Sequence, residues 1–178
     1  MKQLIIPMAA CDYIKTRKHL WIKVLIAFVP AILVGFSLFF LDFNADVKIA
    51  DVFKDYVNVQ ISAIAILISF SIAIITILVS ADNPNIKRLK ERHSVDCKPL
   101  NGKAISLFQV LLSNITYNVL VEVVYLILLI FCIFLQLFIS DNWYKILMAV
   151  SVFFIIHILH ILLESVGQMY LTFWKYEE

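Results

Sequence analysis

The sequence predicts an all-α integral membrane protein: a four-helix bundle, both termini in the cytoplasm, assembled as an oligomer. Three observations carry that expectation. The chain of 178 residues is 62% hydrophobic, with a mean hydropathy of +0.93, more apolar than a soluble domain of this size can hide. Four stretches, at about 20–41, 57–81, 104–139 and 146–173, are long and apolar enough to cross a bilayer. The basic residues are also unevenly shared. The segment up to Lys23, the 82–103 loop and the C-terminus hold twelve Lys and Arg, against three (Lys48, Lys54 and Lys145) on the other side. The positive-inside rule then places both termini and the 82–103 loop in the cytoplasm.

Residues 1–19 form a cytoplasmic segment with a short apolar piece (Leu4, Ile5, Ile6, Pro7, Met8) and a basic end (Lys15, Arg17, Lys18). It is too short to span. It reads as a surface-lying terminus or as a plug or latch against an oligomer's mouth. The membrane domain, 20–178, begins with a span in which Pro30 removes a backbone donor and predicts a kink. Gly35 and Ser37 allow close packing one turn later. An acidic connection follows, with Asp42, Asp46, Asp51 and Asp55 among Lys48 and Lys54. Its second half, IADVFKDYV, has helical spacing and can extend the second span outward.

The second span has the most organised pattern. Asn58, Ser62, Ala65, Ser69, Ala73, Thr76 and Ser80 recur at steps of three or four, so at about 100° per residue they share one stripe, with Ile, Leu, Val and Phe over most of the rest. Small residues let backbones approach and their hydroxyls bond across a contact, which predicts a packing face. The same residues suit a water-contacting lining in an oligomer. The two readings are compatible if copies of the helix meet around an axis.

The 82–103 loop opens with Asp82-Asn83-Pro84, a helix-start signature. A short helix to about His93 carries Lys87, Arg88, Lys90 and Arg92. These serve as topogenic charge and contacts to anionic lipid, or as a dock for an anionic signal or acidic partner. Pro99, Asn101 and Gly102 mark the turn back. The third span begins with an amphipathic stretch bearing Gln109, Ser113, Asn114 and Asn118, then becomes almost wholly apolar apart from Glu122, Cys132 and Gln136. One long helix is the simplest reading, with a break near Asn114 the alternative. The fourth span carries His157, His160, Glu164 and Gln168 at steps of three, four and four, a polar face that should avoid lipid. It predicts a hydrogen-bonded seam reaching toward Glu122, or a pH- or ion-sensitive gating element.

Enzymatic chemistry has no footing. There is no nucleophile motif, catalytic carboxylate pair or dinucleotide fingerprint, and three glycines leave no phosphate-cradling loop. Four histidines are too few for the histidine boxes of membrane oxidases. Three cysteines, Cys11, Cys97 and Cys132, share no metal spacing, and their odd number argues against a disulfide framework. No metal, cofactor or duplex nucleic acid is expected.

The plan of four spans in under two hundred residues, with the polar-striped second helix running into ADNPNIKRLKERH, resembles small membrane effectors of bacterial anti-phage defence, the membrane subunit of Hailong-type systems foremost and the Kiwa membrane subunit second. The resemblance implies a bacterial inner-membrane, oligomeric, normally closed channel. A partner enzyme's nucleotide signal, in Hailong an oligodeoxyadenylate, would open it and collapse the membrane potential. It also implies an inhibitory N-terminal element. The expected function is thus a homo-oligomeric channel-like effector. In it Ser62, Ser69 and Thr76 frame the conduit, His157, His160 and Glu164 tune packing or gating, and the basic loop receives the signal. The alternative is a non-conducting membrane scaffold that recruits a cytoplasmic partner through that loop.

Overall fold

The computed structural model describes residues 5–40, 48–80, 84–94, 97–99 and 102–174. Asp42, Asp46, Asp82, Asn83, Asn101 and residues 175–178 lie outside the described residues. So do the side chains of residues 1–10 and 171–174. The described chain is helical: α1 (Ile5–Thr16), α2 (Leu20–Phe40), α3 (Ile49–Ser80), α4 (Pro84–Glu91), α5 (Leu107–Leu135) and α6 (Asp141–Trp174). Helices α2, α3, α5 and α6 are each long and apolar enough to cross a membrane.

Helix ends follow local chemistry. α4 starts on Pro84, whose missing N–H is no loss in a first turn. The expected start of the third span at 104 gives way to Leu107, because Ser106 and Gln109 form a reciprocal cap. Gln109 N donates to Ser106 Oγ at 3.2 Å and Ser106 N to Gln109 Oε1 at 2.9 Å. α5 then runs unbroken past Asn114. It ends at Leu135 rather than near 139, where Leu137 N and Phe138 N turn back to Phe134 O and Leu135 O. Tyr144 Oη donates to Gln136 O at 2.8 Å and satisfies a carbonyl freed by that ending. α3 starts at Ile49, so IADVFKDYV belongs to the helix.

The chain packs as two compact units. One is built from Met1–Leu20, Ser69–Leu120 and Leu159–Glu178. Its core joins Leu78 of α3, Ile86 and Leu89 of α4, and Leu111 and Ile115 of α5. The segment after α4 pairs briefly with its neighbours. Ser94 N donates to Ile105 O, Leu107 N to Arg92 O and Lys98 N to Thr16 O, and Gly102 turns the chain at φ +77°.

The other unit is built from Trp21–Ile68 and Val121–Ile158. Its core joins Phe53, Val57 and Ile64 of α3, Tyr125, Leu129 and Cys132 of α5, and Tyr144, Met148 and Ile158 of α6. Phe53 packs on Tyr144 with ring centroids 4.9 Å apart, and Tyr125 stacks on Phe154 at 5.1 Å. Within this unit α2 brings small residues to α6: Ala27 and Ala31 are buried, and a Cβ on Gly35 would meet Ala149 Cβ at 3.3 Å. The spacing of four is the small-residue ridge by which membrane helices approach closely.

Candidate functional site

The stripe on α3 lies on the helix's outer side. Asn58, Ser62, Ala65, Ser69, Ala73, Thr76 and Ser80 are all exposed in the single chain. The side of α3 that packs is instead marked by Phe53, Val57, Ile64, Ser71 and Leu78, each at most 2% exposed. At 100° per residue the stripe centres about 150° from that line. Its hydroxyls lean on their own helix: Ser62 Oγ donates to Asn58 O at 3.1 Å and Thr76 Oγ1 to Ile72 O at 3.0 Å. Exposed Val59, Ile66, Phe70 and Ile77 flank it.

The polar residues of α6 fall in both units. His157 is 4% exposed and sits in the second unit, stacked on Phe153 at 5.8 Å. Glu122 is fully buried in the same unit. His160, Glu164 and Gln168 are half-buried in the first unit. There Gln168 Nε2 donates to Glu164 Oε1 at 3.1 Å. Asn114 Nδ2 donates to Gln168 Oε1 at 3.1 Å, and the Arg17 guanidinium donates to Asn114 Oδ1. A continuous chain of polar contacts therefore ties the end of α1 to α5 and α6.

Arg17 is the centre of that chain, and sequence reasoning did not single it out. Its guanidinium is buried and also donates to Val110 O at 3.1 Å and to Cys97 Sγ at 3.1 Å. It lies 5.1 Å from the ring centroid of Tyr13, which stacks on Tyr117 at 4.0 Å. Burial pushes the Tyr13 hydroxyl well above the usual tyrosine range; the Glu164 carboxylate adds to this and Arg17 opposes it. The signal that could have found this cluster is on α5. Asn114, Asn118 and Glu122 are spaced four apart along one line of that helix, and all three are fully buried.

On α4, Ile86 and Leu89 are buried while Lys87, Arg88 and Lys90 are exposed; Arg92, just past the helix end, is half-buried. Lys90 Nζ sits 5.1 Å from the Phe108 ring centroid. This face can meet an anion or a lipid surface. Among the described residues, no three His, Cys, Asp or Glu side chains converge as a metal site would require. Comparison with protein-family models, curated proteins and solved structures finds no match for this chain.

Proposed function

We propose that the chain is a multi-pass membrane protein whose copies assemble with the α3 stripe turned inward, framing a channel-like conduit that a signal opens. The observation that carries this reading is the exposure of all seven stripe residues on the side of α3 away from its own core. Acyl chains gain nothing from a strip of Ala, Ser and Thr. Sister helices do, because backbones can come close along it, and its hydroxyls can also face water. In this reading both termini and the basic loop are cytoplasmic in a bacterial inner membrane, and opening dissipates the membrane potential. The cations on and just after α4, Lys87, Arg88, Lys90 and Arg92, receive an anionic nucleotide or a partner enzyme. The docked end of α1 serves as the latch. The resemblance to defence effectors is consistent with such a closed-until-signalled device.

The test is ion flux in liposomes. The activated protein should discharge a potassium gradient, and Ser69→Trp and Thr76→Trp, which fill exposed positions without touching the chain's own core, should each reduce that flux at least tenfold. Activated wild-type protein no leakier than empty vesicles would sink the proposal.

One observation favours a second reading. Ile86 and Leu89 anchor α4 while its cations point outward, as a recruiting surface would need. A non-conducting scaffold would lose its cytoplasmic partner when Lys87, Arg88, Lys90 and Arg92 are changed to Glu, with vesicle flux at the empty-vesicle level throughout.

A further inference from the structure

A cavity of about 550 Å³ opens in the first unit between the end of α1 and the start of α5, within the roughly 300–1,000 Å³ of small-molecule sites. Its lining carries one carboxylate, Asp12, and one ammonium, Lys103. Among the described residues, no protein hydrogen bond or ion pair engages either of these charged groups. Ser113 Oγ, on the same lining, is buried without a hydrogen-bond partner, a state that a ligand acceptor or donor would relieve. Ala104, Ile105, Val110 and Leu112 give the wall an apolar part beside Thr16, Gln109 and Thr116. A cavity with one charge of each sign and a wall that is partly polar and partly apolar fits a molecule that is itself zwitterionic and partly apolar.

Its position narrows the class. Lys103 stands four residues before the span that begins at Leu107, and the remaining α5 lining residues fall within that span's first three turns. That is the level at which headgroups sit on a spanning helix. We propose that the cavity binds the headgroup of an ethanolamine phospholipid, its ammonium on Asp12 and its phosphate on Lys103. Both contacts are charge-assisted hydrogen bonds, the stronger kind. A quaternary choline has no N–H for Asp12, and a glycerol headgroup has no cation. The site stands on these side chains and does not depend on the channel reading.

The full-length protein, delipidated in detergent, would be titrated with phosphatidylethanolamine, phosphatidylglycerol, phosphatidylcholine or free phosphoethanolamine, and the bound ligand counted by native mass spectrometry. One phosphatidylethanolamine should be retained about tenfold more strongly than either other lipid, as the charge-assisted contact that only its ammonium makes to Asp12 would give. Asp12→Asn, which preserves side-chain shape, should lose that preference, and Lys103→Gln should weaken retention of all three lipids alike, because each carries the phosphate. Lys98→Gln, at an exposed lysine outside the cavity, should change neither. Equal retention of phosphatidylglycerol, or an undiminished preference in Asp12→Asn, would overturn the proposal. Free phosphoethanolamine binding as tightly as the lipid would also overturn it, making a soluble zwitterion the occupant.

Discussion

Arg17 shows what a charge needs in order to be buried. Its guanidinium loses water and is compensated by Asn114 Oδ1, Val110 O and Cys97 Sγ, with the Tyr13 ring close by. Hydrogen bonds to a charged group are worth roughly 1.5–3 kcal/mol each. Asn114→Leu removes one of them together with the link to Gln168, so it should lower stability by about 2 kcal/mol, read by denaturant titration in micelles. Arg17→Ala should free the end of α1, and if α1 is the latch, vesicles carrying that variant should leak without a signal. Tyr13 adds a pH dependence. Its hydroxyl titrates higher when folded than when unfolded, so its contribution to stability is complete below the ordinary tyrosine value, near 10, and is lost as pH rises from there toward the folded value. Tyr13→Phe should therefore flatten part of the alkaline loss of stability seen in the wild type.

At the level of elements, caps and small residues decide where helices stop and how near they come. The Ser106–Gln109 cap sets the start of α5 at Leu107. Ser106→Ala should cost about 1 kcal/mol and increase amide exchange in the first turn of α5. Gly35 matters for proximity rather than conformation. A Cβ there meets Ala149 Cβ at 3.3 Å, a distance a slight shift can relieve. Gly35→Ala should thus be tolerated, whereas Gly35→Leu should push α2 off α6 and cost about 1–3 kcal/mol, seen as a lower melting temperature in detergent. Pro30 sits inside α2 without ending it, as spanning helices allow. These features were partly legible. Pro84 as a helix start and the helical spacing of IADVFKDYV could be read directly, because both depend on neighbouring residues alone. The limits of α5 could not, because the cap involves a serine and a glutamine that are equally at home elsewhere in an amphipathic stretch.

For the whole molecule, the question is what covers α3. Its outward stripe predicts contact between copies. Ser69→Cys should cross-link subunits of the assembled protein in membranes with a short bifunctional thiol reagent. Leu163→Cys, an exposed position on α6, should cross-link far less. Equal cross-linking at both positions would mean that the stripe has no special place in the assembly. Both substitutions lie on exposed surface, so the fold of the single chain should be unchanged.

The four long apolar helices were determined by the sequence alone, since a bilayer demands length and apolarity and those are properties of a linear string. The sequence also determined which residues share a face: the stripe from Asn58 to Ser80 follows from helical period. Only the tertiary structure decided which way that face looks, and that Arg17 and Asn114, with Gln168, join α1 to α5 and α6. In water an apolar face must turn inward, so pattern and orientation are one fact. In lipid the surroundings are as apolar as the core, and hydrophobicity no longer chooses a side. Orientation then depends on shape and on distant hydrogen-bond partners, which no local pattern encodes.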